Sequence, residues 1–158
     1  MEAYIIKGYR SAITKSKKGS FKNFRSDDLS VIVIKHLLKQ FPEINPKLVD
    51  DVIVGCANPE GEQGLQIGRL ISSRALGIDV PGMTINRYCA SGLEAISMAV
   101  SKIRAGFGKI YVAGGAESMS MIPMTGYKLA PSYKANLENI NYHVSMVATA
   151  EAVASKFQ

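Results

Sequence analysis

Apolar and polar positions divide the chain into alternating short elements. Residues 3–9, AYIIKGY, are mostly apolar and predict a first strand, followed by a polar, basic loop through Ser26. The stretch SDDLSVIVIKHLLKQF then predicts a helix, because Leu29, Ile32, Val33, Leu37 and Phe41 recur at three- and four-residue spacing. Ser26 or Asp27 is its expected cap, Asp27 and Asp28 suit the positive end of its dipole, and Pro42 stops it. Ile34 and Leu38 widen the apolar stripe, as for a helix pressed between a sheet and another layer.

The alternation continues. VDDVIVGCA predicts a second strand, its unbroken Val52, Ile53 and Val54 suiting a strand covered on both faces. GLQIGRLISSRALG predicts a helix, PGMTIN a short strand, and Ser91 to about Arg104 a third helix with Leu93, Ile96, Val100 and Ile103 on one side. Gly106 ends that helix, and KIYVAGG predicts a fourth strand. Strands and helices joined by connections this short predict βαβ units, and hence a doubly wound α/β fold with a parallel sheet. From about Ser120 the pattern lapses into a long irregular excursion with two prolines, and a weak helix, VSMVATAEAVASKF, follows.

Composition narrows the functional classes. The 158 residues are 47% hydrophobic and 20% charged, the balance of a globular domain with one sizeable core. No apolar run approaches the roughly 18 residues needed to span a bilayer, and no secretory signal is expected. The two cysteines read as thiols of a cytoplasmic chain, and neither has partners at metal-ligand spacing, so no metal is expected. Residues 1–26 hold seven basic residues against one acidic, which accounts for the whole net charge of +6. That segment suits either attraction of an anionic ligand such as a nucleotide-bearing thioester or a plain solvated loop. No motif or interleaved aromatic pattern joins the charge, so no nucleic acid is expected as a partner.

The candidate chemistry centres on INRYCASGLEAI, residues 85–96. Cys89 stands between a predicted strand and a predicted helix. A thiolate is the attacking form of cysteine, and a helix N-terminus favours it through unpaired N–H groups and the dipole. A sharp strand-to-helix turn would present the sulfur at the carboxyl edge of the sheet, where open α/β folds bind ligands. Position alone leaves two readings open, a nucleophile or an ordinary buried cysteine. Cys56 also ends a strand, but no helix starts directly after it, and it reads as a structural thiol. His36 and His143 supply no convincing base. In the second cluster, AGGAESMSMIP, Gly114 and Gly115 allow close backbone approach at the same sheet edge. Met119, Met121 and Met124 suit a pliable apolar wall for an acyl arm, or simple packing under a loop.

Together these clusters resemble the thiolase family, the acetyl-CoA acetyltransferases and 3-ketoacyl-CoA thiolases. The family pattern NR.C.SGL.AI is matched by Asn86, Arg87, Cys89, Ser91, Gly92, Leu93, Ala95 and Ile96. The pattern GG.ESMS..P is matched by Gly114, Gly115, Glu117, Ser118, Met119, Ser120 and Pro123. EQGLQIGR and SMVATAEAVASKF resemble two further family segments, in the family's order. The resemblance covers essentially the whole chain and only the N-terminal half of the family.

The resemblance implies a thiolase-like layered α/β fold, incomplete here. Residues 1–118 correspond to the N-terminal domain without its last strand, and residues 119–158 to the start of a loop domain. It implies that Cys89 attacks an acyl thioester and carries the acyl group, with Met119 and Met146 at the substrate. The reaction is then reversible cleavage of a 3-ketoacyl-CoA by coenzyme A, or condensation of two acyl-CoA molecules, within fatty acid and lipid metabolism. Coenzyme A enters as substrate, no cofactor is implied, and the family forms homo-oligomers, dimers or tetramers. Two departures stand out: Val147 replaces the glycine of the family's MG.TAE segment, and Ser145 precedes Met146 where histidine is frequent. The GHP and C.GG motifs of the family's C-terminal half do not occur in these residues, so this chain alone is expected to be inactive. Two other classes remain open at this stage: a non-catalytic acyl-CoA or lipid-binding module, and a redox protein using Cys56 and Cys89.

Overall fold

Three parallel strands organise the computed structural model, which describes residues 2–157. They are β1 (Asp51–Gly55), β2 (Gly82–Ile85) and β3 (Tyr111–Gly115), in the order β2-β1-β3. The register pairs Val54 of β1 with Thr84 of β2 and with Gly114 of β3, so all three strands end on one edge. Helices α1 (Ser26–Leu38) and α2 (Ile67–Ala75) cover one face, and α3 (Ser91–Arg104) covers the other.

The two-residue period of β1 decides which side chain serves which layer. Val52, Val54 and Cys56 point into a core with Val31, Ile34, Ile67 and Ile71 from α1 and α2. Ile53 points the other way, onto Ala95 and Ala99 of α3, with Met83, Ile85 and Tyr111 around them. Ile53, Ile67 and Ile71 are fully buried, each a contribution of about 1.5–3 kcal/mol from water exclusion. The unbroken apolar run of the central strand thus follows from having helices on both sides.

The chain forms two compact units, residues up to Tyr127 and residues from Lys128. In the second, α4 (Tyr133–Glu138), a 3-10 turn (Ile140–His143) and α5 (Met146–Lys156) occupy the stretch that the sequence predicts as an excursion and a weak helix. The Ser145 hydroxyl accepts the Ala148 N–H at 3.2 Å and caps α5. Among the described residues, no helix is long and apolar enough to cross a membrane.

Several expectations are corrected. Residues 3–9 form no strand, and Tyr4, Ile5 and Ile6 are exposed. A strand exists through ladder bonds to a neighbour. Residues 7–11 and 13 instead line one side of a cavity of about 520 Å³, whose other walls include Val112 to Glu117 and α1. On α1, Val31 and Ile34 are the buried apolar residues, Leu29, Val33 and Leu37 line that cavity together with Ile34, and Ile32 is exposed. The helix ends at Leu38, before Phe41, and neither Ser26 nor Asp27 caps it. Ser26 donates to Gln63 Oε1, and the Asp27 carboxylate is held by Arg25 and Arg74 at 2.8 and 2.7 Å.

On α3, the small Ala95 and Ala99 are buried against the sheet and Leu93 is exposed. Close approach of helix to strand selects small side chains there, which an apolar count weighted toward large residues misses. Helix α2 is shorter than the predicted 64–77, because Leu65 and Gln66 take left-handed backbone conformations just before it.

Candidate active site

Strand β2 ends at Ile85 and α3 begins at Ser91, leaving five residues, Asn86–Ala90, to reverse from sheet to helix. The reversal is sharp enough that Tyr88 takes a φ of +48°. This left-handed conformation costs a non-glycine residue about 1–2 kcal/mol. Local hydrogen bonds offset that cost. The Tyr88 N–H donates to Asn86 Oδ1 at 2.7 Å, and the Ser91 hydroxyl accepts from the Arg87 N–H at 2.8 Å. The same hydroxyl donates to the Tyr88 carbonyl at 2.6 Å, which also accepts the Ser91 N–H at 3.0 Å. Arg87 is further tied to Glu94, one turn into α3, at 2.7 Å.

Cys89 sits at the crest of this turn. It is a free, exposed thiol two residues before α3 begins. The turn therefore places an exposed thiol at the carboxyl edge of the sheet, just ahead of the first turn of α3, whose opening N–H groups have no intrahelical partner. Cys89 is thus exposed in this chain, whereas Cys56 is buried.

Two glycines let the helices come this close. A Cβ on Gly55, at the end of β1, would lie 2.4 Å from the Ser91 carbonyl carbon. A Cβ on Gly68 of α2 would lie 2.1 Å from the Met83 carbonyl oxygen on β2. Each is a backbone-on-backbone contact that a side chain would force apart.

The other thiol is different in kind. Cys56 is 1% exposed, and burial, then the charge of Glu117, pushes its ionisation up from 9.0 to about 12. It stays a protonated thiol near neutral pH and packs in the α1–α2 core. Its surroundings form a polar cluster. The Gln63 amide nitrogen lies 3.4 Å from Cys56 Sγ and donates to the Asn58 carbonyl at 2.9 Å and to Glu117 Oε1 at 2.5 Å. Gln63 Oε1 accepts from the Ser118 N–H and from the Ser26 hydroxyl. Glu117 Oε2 in turn accepts the Ala57 N–H at 2.7 Å.

The remaining candidates are dispersed. Met119 follows β3 as Cys89 follows β2, on the same edge of the sheet, and is 46% exposed. Its carbonyl accepts the Ser16 hydroxyl at 2.8 Å, and the Lys17 N–H donates to Ser120, so the basic loop is fastened to this segment. Within the methionine cluster, Ile122 is the residue that is buried, and Met124 is exposed. Met146 is the first residue of α5 in the second unit and is exposed there. His36, on α1, packs edge-to-face on Tyr9 at 4.8 Å, and His143 lies in the second unit. Among the described residues, no three His, Cys, Asp or Glu side chains cluster closely enough to hold a metal ion.

Sequence reasoning missed Gln63 and Glu117 as organisers of this edge. Both lie in segments matched to the family, Glu117 in GG.ESMS..P and Gln63 in EQGLQIGR, but no periodicity marks the two as paired across the sheet edge.

Comparisons with known proteins agree with this geometry. The family described as thiolase, N-terminal domain, matches residues 3–158. A 3-ketoacyl-CoA thiolase of Bacillus subtilis is 45% identical over 157 residues, covering 99% of this chain and 40% of the relative. A 3-oxoadipyl-CoA/3-oxo-5,6-dehydrosuberyl-CoA thiolase of Escherichia coli is 40% identical over 138 residues, 87% of this chain and 34% of the relative. A 3-ketoacyl-CoA thiolase of Idiomarina loihiensis is 36% identical, covering 97% of this chain and 40% of its own length. The chain thus spans two fifths or less of the length of these relatives. The strand–turn–helix that presents Cys89, the parallel α/β layers and these matches lead to one assignment: the chain belongs to the thiolase family, through its N-terminal domain.

Proposed function

We propose that this chain carries the nucleophile of an acyl-CoA acyltransferase, with Cys89 as the acyl acceptor. The observation that carries this reading is the exposed Cys89 thiol on a strained turn between β2 and α3. The Cys89 sulfur, as thiolate, attacks the carbonyl carbon of an acyl-CoA thioester. The carbonyl electron pair moves onto oxygen, and the backbone N–H of Cys89 contributes a donor for that oxyanion. Collapse breaks the carbon–sulfur bond to coenzyme A, which leaves as its thiolate and takes a proton, and the acyl group stays on Cys89. With a 3-ketoacyl-CoA the thiolate attacks the 3-keto carbon instead. Collapse breaks the C2–C3 bond, the shortened acyl group stays on Cys89, and acetyl-CoA leaves as its enolate and takes a proton at C2. The thiol of a second coenzyme A then removes the acyl group. The same steps in reverse condense two acyl-CoA molecules with release of coenzyme A.

Met119 and Met146 are proposed to line the substrate. Residues 119–158 open the loop domain that would carry the latter. Coenzyme A serves as substrate and no metal is used. The exposed Tyr88 and Leu93 beside the site support a homo-oligomer, and two reduced cysteines support a cytoplasmic setting.

The test is incubation of the chain with acetyl-CoA, followed by peptide mass analysis and assay of released coenzyme A. One acetyl group on Cys89 per chain, absent in Cys89→Ser, is expected. Sustained ketoacyl-CoA thiolysis is not expected, because no histidine or second cysteine adjoins the Cys89 turn in the hydrogen-bonding of the described residues. Stoichiometric coenzyme A binding without any Cys89 adduct would instead favour a non-catalytic acyl-CoA-binding module.

A further inference from the structure

The polar residues around Cys89 and those around Gln63 belong to one continuous hydrogen-bonded line. It starts inside the protein, at Gln63, which is fully buried with both ends of its amide engaged. Gln63 donates to one oxygen of Glu117, and the other oxygen accepts the Ala57 N–H. Across the same peptide segment, the Ala57 carbonyl accepts from Asn86 Nδ2 at 2.8 Å. Asn86 Oδ1 then accepts the N–H of Tyr88, the left-handed residue that immediately precedes Cys89.

Each residue type suits its place in this line. A carboxylate accepts at both oxygens, so Glu117 can serve Gln63 and Ala57 together, where an amide would set a donor against one of them. Asn86 must donate with one end and accept with the other, as a short amide side chain does. The line also crosses the sheet edge: Ala57 follows β1, Asn86 follows β2 and Glu117 follows β3. It therefore ties the ends of all three strands to the turn.

We propose that Asn86 and Glu117 are positioning residues, forming with Ala57 a relay that holds Tyr88 in its left-handed conformation and so sets where Cys89 stands. The inference rests on Cys89 being the reacting thiol of the proposed acyl transfer. Without the relay, Tyr88 relaxes to an ordinary conformation and Cys89 leaves the opening of α3. Because Cys89 is already exposed, release gains it no access and loses only its placement.

The experiment measures the rate of Cys89 alkylation by iodoacetamide in the full chain, with protection of Cys56 as the sign that the fold is intact. This readout requires no thioester, so it separates failure of the relay from failure of the acyltransferase reading, which the acetyl-CoA incubation tests. Asn86→Ala is expected to slow alkylation about tenfold, the scale of one lost hydrogen bond. Asn86→Asp keeps the acceptor for the Tyr88 N–H but loses the donor to the Ala57 carbonyl, so it should recover only part of that rate and no longer respond to Glu117→Gln. Glu117→Gln should slow alkylation about threefold in the unsubstituted chain and add nothing in the Asn86→Ala background. An unchanged rate in Asn86→Ala with Cys56 protected, full recovery in Asn86→Asp, or additive effects of Asn86→Ala and Glu117→Gln would overturn the proposal. Should the variants not fold, amide exchange in the unsubstituted chain decides: slow exchange at Tyr88 and Ala57 supports the relay, and rapid exchange at both rejects it.

Discussion

Gly55, the last residue of β1, lies directly under the first residue of α3, Ser91: a Cβ added to Gly55 would meet the Ser91 carbonyl carbon at 2.4 Å and its oxygen at 2.5 Å. The contact is backbone against backbone, so no side chain can swing away to relieve it. Gly55→Ala is expected to push α3 off the sheet and destabilise the fold by about 2 kcal/mol, in the range of overpacked cores. Urea unfolding measures the loss, and a midpoint equal to that of the unsubstituted chain would show that the helix has room to move. Because Cys89 rides on the turn entering α3, its alkylation rate should change in the same variant.

The two thiols should differ in reactivity and in what they do to stability at alkaline pH. Near pH 8, iodoacetamide should label Cys89 and leave Cys56 unmodified in the folded chain, which peptide mapping reads directly. The Cys56 ionisation is raised by folding from 9.0 to about 12. Its contribution is therefore fully present below about 9 and lost as pH rises toward 12, where the unfolded thiol ionises and the folded one does not. The fall in stability over this window should flatten in Cys56→Ala, after allowing for that variant's lower starting stability. An identical slope in both chains would contradict the assignment.

Asp27 is 2% exposed and is held from two sides, by Arg25 at 2.8 Å and Arg74 at 2.7 Å. Arg74 also reaches Asp28, at 2.5 Å, and so joins the end of α2 to the start of α1. Removing Arg74 leaves a nearly buried carboxylate with one cation. Arg74→Ala is expected to cost about 2 kcal/mol, the scale of a hydrogen bond to a charged group. Thermal unfolding checks this, and replacing Asp28 alone, at the exposed end of the pair, should cost much less.

At the opposite edge, the Asp50 carboxylate accepts the N–H groups of Lys109 and Ile110 at 2.6 and 2.9 Å. The Ile110 and Lys109 N–H groups hold its ionisation below the usual carboxylate range. The sign follows: its stabilisation is fully present above the ordinary carboxylate pKa of about 4, and is lost as pH falls through the lower folded value. The stability difference between the unsubstituted chain and Asp50→Asn should be constant near neutrality and shrink only in acid. A difference that already shrinks between pH 7 and 5 would rule out Asp50 as its source.

Periodicity alone revealed the order of elements from α1 to β3, the parallel sheet and the crossing point at Cys89. These follow from local spacing, since apolar residues at period two or near three and a half, closed by glycine and proline, have few alternatives. The first strand failed for the opposite reason. Tyr4, Ile5 and Ile6 have a strand's composition, but a strand is made by its neighbour's hydrogen bonds, which no local pattern records. The faces of α1 and α3 were likewise decided by distance: where Gly55 brings α3 down onto the sheet, Ala95 and Ala99 fit and Leu93 does not.

The candidate nucleophile was legible because a thiol at a strand–helix boundary is a local event. Its supports were not, because Gln63 and Glu117 are 54 residues apart, and Ala57 and Asn86 are separated by 29. By itself the sequence determined the kind of layers this chain builds and the residue that stands at their edge. Only the tertiary structure decided which polar groups meet there, because hydrogen bonds act over three ångströms of space and are blind to distance along the chain.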